Sequence, residues 1–270
     1  MKVNKINCKT ILTSCKITGL NYSINPYVGC EHGCKYCYAD FMKRFTNHKE
    51  PWGEFIDIKV NSPEILKLEL AKNPKGTVWF SSVTDPYQPI EAKEKLTRKL
   101  LEIMLNSGSK LQPEILTKSS LVSRDFDLLQ QFSNARIGLT VNLLDDSIRK
   151  KLEPKASPVK ARIKTLEKAQ NLGHQTYAFI GPVFPSLTPL EELFSTLSPV
   201  VDFIWVEALN TKPSSWSKIK LFLEQDFPEL LPEWQDVFFK EKQPYFQNLK
   251  KEVNSLSKKY KLKVEGIVLH

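Results

Sequence analysis

The stretch TVWFSSVTDPYQPIEAKEKLTRKLLEIMLNSGSKLQPEILTKS, residues 77–119, decides how this chain folds. TVWFSS (77–82) is β-branched and aromatic, which suits a pleated strand. TDPYQP makes a turn, and LTRKLLEIMLNSG carries apolar residues at helical spacing up to a stop at Gly108. PEILTKS (113–119) is a further strand. A strand–helix–strand unit predicts parallel neighbours, because the helix must carry the chain back before the next strand begins.

Outward from this unit the same alternation recurs. Upstream lie INPYVG (24–29), a strand, and SPEILKLELA (62–71), a helix with Ser62 as cap and Pro63 at its first position. Downstream come the short helix RDFDLLQQF, the strand RIGLTVN (136–142) and the helical DDSIRKKL. SPVKARIKTLEKAQNLG (157–173) reads as a helix capped by Ser157, with Pro158 in its first turn and Gly173 at its end. QTYAFIG (175–181), TPLEELFSTL with Thr188 as cap, and DFIWVEA (202–208) complete six strands. An α/β fold follows, either a doubly wound sheet or an incomplete barrel. The strands lack clean alternation, as expected of a sheet covered on both faces.

Residues 1–20 form an N-terminal segment, 21–210 the core, and 211–270 a C-terminal extension expected to pack on that core. The extension is helical and carries Trp216, Trp234, Phe238, Phe239, Tyr245 and Phe246, and KLKVEGIVL (261–269) is a candidate closing strand.

The 270 residues are 41% apolar and 26% charged, ordinary for a soluble globular protein. No apolar run approaches the ~20 residues that span a bilayer. MKVNKINCKT lacks the apolar segment of a secretory signal. A cytoplasmic location is expected, where thiols stay reduced. The net charge of +9 admits a nucleic-acid substrate, although the cationic runs are short and scattered. Nothing marks an oligomer.

In parallel α/β folds function gathers at the C-terminal ends of the strands. Those ends here are GCEHGCKYCY (29–38), SSVTDPYQP, TKSS, TVNLLDD, GPVFPSLTP and EALN, all rich in polar residues, Gly or Pro. Of five cysteines, Cys30, Cys34 and Cys37 fall within eight residues. A structural zinc site needs four ligands. His32 sits too close to complete one, but His48 could reach back, so a non-enzymatic zinc- or nucleic-acid-binding module is a rival reading. Iron–sulfur chemistry explains the count better, since three thiolates leave one iron of a four-iron cluster with an open position.

Cys30, Cys34 and Cys37, with Tyr36 before the third, resemble the signature loop of the radical S-adenosylmethionine enzymes. The longer run NPYVGCEHGCKYCYAD, with SSVTDPYQPIE, TKSSLVSRD and LEPKASP, resembles the spore photoproduct lyase-related branch over residues 20–210. The resemblance implies a partial (β/α)6 TIM-like barrel. It implies one 4Fe–4S cluster on the three cysteines and reductive cleavage of S-adenosylmethionine to a 5′-deoxyadenosyl radical. That radical would abstract hydrogen from an unidentified substrate, and an external flavodoxin- or ferredoxin-type protein would supply the electron. By motif, Tyr36 would meet the adenine end. Ser82, in the SSVTD stretch, would lie at the methionine amino group and Lys118 at the carboxylate. Thr140 and Asn142 would hold ribose or carboxylate. Glu153, Pro154 and Arg162 also fall in family-like text, where a structural role and an ion pair are conceivable.

One feature departs from the branch. Photoproduct lyases place a hydrogen-donating cysteine after the second strand, whereas no cysteine follows Cys37 here. DNA photoproduct repair by that route is therefore disfavoured. A phenol can relay a hydrogen atom, which makes Tyr38 the candidate catalytic residue. Cys8 and Cys15 read as free thiols, too few to hold a second cluster.

Overall fold

The computed structural model describes all residues except 18, 212 and 241, and the side chains of all the others except 213, 214 and 242. The strands in chain order are β1 (Lys2–Ile6), β2 (Leu12–Ser14), β3 (Tyr22–Ile24), β4 (Tyr27–Val28), β5 (Phe55–Lys59) and β6 (Lys75–Phe80). They continue with β7 (Lys110–Thr117), β8 (Arg136–Thr140), β9 (Gln175–Val183), β10 (Phe203–Ala208) and β11 (Lys263–Val268). The helices are α1 (Ser62–Leu70), α2 (Glu91–Glu94), α3 (Leu96–Asn106), α4 (Phe126–Leu129) and α5 (Asp146–Leu152). After them come α6 (Val159–Asn171), α7 (Leu190–Leu197), α8 (Pro213–Asp226), α9 (Leu231–Phe239) and α10 (Lys242–Tyr260).

Strands β6 and β7 run parallel in register from Lys75–Lys110 to Phe80–Ile115, with α2 and α3 carrying the chain back between them. Helix α3 buries Leu96, Thr97, Leu100, Leu101 and Met104 along one stripe, and each large apolar side chain so buried contributes about 1.5–3 kcal/mol. It ends as its sequence predicts: Gly108 has φ +65° and its N–H bonds Leu105 O at 3.1 Å.

The large sheet has the order β11-β10-β9-β8-β7-β6-β3-β2. All neighbours are parallel except β2, which is antiparallel to β3. The core strands lie side by side in chain order with no reversal, so the sheet curls one way as a barrel does and lacks the switch point of a doubly wound sheet. β2 and β11 end the sheet unpaired with each other, and the barrel is partial. No helix among the described residues is long and apolar enough to cross a membrane.

Several local expectations are corrected. INPYVG is two strands, because Pro26 has no N–H to give a ladder. β3 pairs with β6, while β4 turns away to pair antiparallel with β5 in a second sheet of order β1-β5-β4. Asn25 holds the break by accepting from Val83 N at 3.0 Å and donating to Ser82 Oγ at 3.2 Å. The three expected caps act otherwise. Ser62 is buried with its hydroxyl unbonded among the described residues, Ser157 accepts from Ser120 N at 2.9 Å, and Thr188 accepts from Phe184 N at 2.9 Å. The Ser157 and Thr188 hydroxyls satisfy loop N–H groups that compete with the helix ends for them.

The C-terminal residues fold back twice. β11 pairs parallel with β10, and α10 packs on α7. Trp234 is fully buried, donates to Pro185 O at 3.0 Å and stacks on Phe184 at 5.9 Å. Phe238 and Phe246 are buried as well, whereas Phe239 is exposed and meets the edge of Trp216. Trp234 and Phe238 belong to a second apolar cluster that also contains Cys34, Tyr36, Leu143, Phe184 and Phe222. The extension thus supports the cysteine loop from behind.

Candidate active site

Ile24 pairs with Phe80, Phe80 with Ile115, and Thr140 with Phe179, which brings the ends of neighbouring strands to one mouth. The cysteine loop leaves there after β3 and β4. Its shape rests on glycine: Gly29 has φ +88°, and a Cβ on it would stand 2.3 Å from Phe55 O. Gly53, with φ +96°, covers the loop so closely that its Cβ would lie 2.8 Å from Gly33 Cα. The segment after β6 ties the loop down. Thr84 Oγ1 donates to Gly29 O at 2.5 Å, and Glu31 N donates to Gln88 Oε1 at 2.8 Å.

Cys30 and Cys34 are buried and Cys37 is half-buried. Burial pushes the Cys30 thiol up, and so do Asp85 and its neighbours Cys34 and Cys37. Burial raises Cys34 and Cys37 too, offset in part for Cys37 by the Ala39 N–H and the Lys118 ammonium. As free side chains the three stay protonated, so they are poor nucleophiles and become thiolates when cations bind. Beside them the buried indole N–H of Trp52 has no acceptor among the described residues. A thiol set of this kind with a donor to spare fits a cluster rich in sulfur acceptors. His48 does not fit a zinc reading. Its Nε2 is 2.8 Å from Asp57 Oδ1, its Nδ1 is 3.1 Å from Glu50 Oε2, and its ring stacks on Phe55 at 4.1 Å. Among the described residues no three Cys, His, Asp or Glu side chains converge on one ion.

Lys118 leaves the end of β7 with its Nζ 5.8 Å from the Tyr36 ring centre and 3.4 Å from Thr140 Oγ1. Burial works against its charge, but beside the Glu153 carboxylate its pKa lies above the ordinary lysine value. Its backbone N–H is held by Asp85 Oδ2 at 2.9 Å. Asp85 also accepts from Thr117 Oγ1 at 2.6 Å and lies 3.3 Å from His32 Nδ1. Burial raises the Asp85 carboxyl, yet His32 and these donors hold it at about 2.

Tyr36 is buried edge-on to Phe184 at 5.2 Å, and its hydroxyl donates to Glu153, which pairs with Arg162. Arg162 also donates to Ser157 O at 2.8 Å and Thr140 O at 3.0 Å. The conceivable Glu153–Arg162 pair is therefore present, and it joins the cysteine loop to β8. Asn142 is buried and donates to Pro182 O at 3.2 Å. Ser82 accepts from Asn25, and Ser82 O takes the hydroxyl of Tyr38, an exposed side chain at the rim. All the expected site residues thus gather at one mouth.

Sequence reading missed Trp52 and Gly53, weighed His32 only as a zinc ligand, and took Asp85 only as part of the SSVTD stretch. Asp85 and His32 stood inside quoted motifs, and Trp52 and Gly53 carried a signal in their PWG punctuation. Cys8 packs on the main core and bonds Asn61 through both backbone groups, apart from this cluster of side chains.

The model of the radical SAM superfamily matches residues 24–196, which include the three cysteines, Lys118 and Glu153. The chain belongs to the radical SAM superfamily. An uncharacterized protein of Methanocaldococcus jannaschii is 36% identical over 100% of this chain and 98% of its own length. A radical SAM Nalpha-GlyT isomerase of Pseudomonas phage M6 is 28% identical over 65% of this radical SAM chain and 36% of its own. Among solved structures, spore photoproduct lyase complexed with dinucleoside spore photoproduct superposes with a TM-score of 0.70 at 15% identity. That superposition covers 99% of this chain and 82% of the lyase, and it places this radical SAM protein in the lyase-related fold.

Proposed function

We propose that Cys30, Cys34 and Cys37 hold one 4Fe–4S cluster and that this chain is a radical S-adenosylmethionine enzyme acting on a substrate at the barrel mouth. The observation that carries the reading is the placement of two buried thiols and one half-buried thiol, all kept neutral by burial, in a loop whose Tyr36 ring lies under the half-buried Lys118 ammonium at the strand ends. When bound, the cluster and S-adenosylmethionine supply a 5′-deoxyadenosyl radical after one-electron reduction by an external flavodoxin- or ferredoxin-type protein.

The chain's own residues bind and orient. Lys118 presents a charged ammonium, held by Asp85 through its backbone, to the methionine carboxylate. Ser82 lies where the amino group would be met, and Thr140 and Asn142 line the ribose or carboxylate side. Tyr36, fixed by Glu153, is a flat wall toward the adenine end. The second apolar cluster excludes water behind Cys34. Tyr38, at the rim, relays a hydrogen atom in place of the cysteine that this chain lacks. All five cysteines are free, in accord with a reducing cytoplasm.

Anaerobic reconstitution with iron and sulfide tests the reading. The expected product is a brown protein that releases 5′-deoxyadenosine on reduction. Cys34→Ala should lose iron while its far-ultraviolet circular dichroism persists. A colourless wild-type protein, or one that binds zinc without sulfide, would overturn the reading.

A further inference from the structure

Trp52 occupies an unusual position. Its ring is buried with Cys30, Ala39 and Phe55, and Cys37, Met42 and Val83 pack against the same group. The edge of Phe55 fixes it at 5.8 Å and 82°. Gly53, next in the chain, is pressed on Gly33 of the cysteine loop, so the backbone that carries the indole has little freedom to turn away. The indole nitrogen can only donate. It is buried, and no described residue accepts from it. Leaving such a donor unsatisfied is costly, and the sulfurs of Cys30 and Cys37 are the acceptors packed in the same group. Among the described residues Trp79 has the other unpartnered buried indole N–H, but it lies on β6 outside the cysteine group.

We propose that Trp52 donates its indole N–H to the sulfur of Cys37 or to an adjacent cluster sulfide and thereby raises the cluster's reduction potential. This rests on the cluster reading above. The electrostatics give the sign. One-electron reduction adds negative charge that spreads onto the sulfurs, and a fixed N–H dipole stabilises the more negative state more. Trp52 is thus a positioning and tuning residue that eases the electron's entry from the external carrier.

The test compares reconstituted wild-type, Trp52→Phe and Trp79→Phe proteins by redox titration followed by electron paramagnetic resonance. Trp52→Phe should keep its iron and sulfide but be harder to reduce. The change expected is on the order of tenfold in the one-electron equilibrium constant, about 59 mV lower. Trp79→Phe should leave the midpoint where it was. An unchanged or higher midpoint in a fully loaded Trp52→Phe protein overturns the proposal. Should that variant fail to load, the wild-type protein decides. With 15N-indole tryptophan, an exchangeable proton coupled to the reduced cluster should be assigned to an indole, and its absence overturns the proposal. A wild-type protein with no iron–sulfur signal would instead defeat the cluster reading itself.

Discussion

Glu153 and Arg162 face each other as an ion pair with side-chain exposures of 0% and 1%, and Glu153 also takes the hydroxyl of Tyr36. Burial raises the Glu153 carboxyl, but Arg162, Lys118 and Tyr36 together hold it below the usual range. The pair costs desolvation on both sides and is retained because each charge is met by several hydrogen bonds. Removing one partner strands the other. Glu153→Leu should therefore destabilise the cluster-free protein by about 3–5 kcal/mol in urea unfolding, whereas Glu153→Leu combined with Arg162→Leu should cost less than the sum of the two.

Lys118 has a different part. It makes one long hydrogen bond to Thr140 and stands over the Tyr36 ring, so the fold gains little from its ammonium. Lys118→Met should preserve iron content and melting behaviour. Titration calorimetry should show S-adenosylmethionine binding weakened on the order of 10- to 100-fold, as when a buried charged hydrogen-bond partner is lost. Binding unchanged in Lys118→Met would remove this residue from the cofactor site.

The two facing glycines make a contrasted pair. At Gly53 a methyl group meets Gly33 Cα at 2.8 Å in a left-handed backbone, while at Gly33 the nearest atom is 3.5 Å away. Gly53→Ala should cost more than Gly33→Ala, by about 1 kcal/mol or more, because crowding adds to the positive-φ penalty. Chemical unfolding midpoints of the two variants give the comparison.

His174 governs acid stability from the opposite end of the barrel. It is buried with Nε2 unpartnered among the described residues, its ring centre 5.1 Å from that of Phe126, and burial lowers its pKa below 6.5. The unfolded chain binds the proton more readily, so this contribution is present above pH ~6.5 and is lost as the pH falls through the folded value. Stability should drop by up to about 1.4 kcal/mol per pH unit below 6.5, and His174→Phe should flatten that slope. Urea melts of both proteins at pH 5 to 8 provide the measurement.

Much of the architecture is legible along the chain, since strand and helix periods repeat locally and Gly108 and Gly173 end helices through their own φ freedom. β1 and β5 went unread, because short strands of a small sheet depend on partners as far apart as Lys2 and Phe55. Helix caps misled for a related reason: Ser157 and Thr188 found loop donors that only packing brings near.

The sequence by itself determined the three cysteines, their spacing and the six strand ends that must share a mouth, because each of these depends on near neighbours in the chain. The tertiary structure alone decided what surrounds them. Tyr36 reaches Glu153 across 117 positions, and Trp52 packs in one group with Cys37 beside the close Gly53–Gly33 approach. Such contacts depend on burial and close packing between distant segments, which have no period that local sequence could carry.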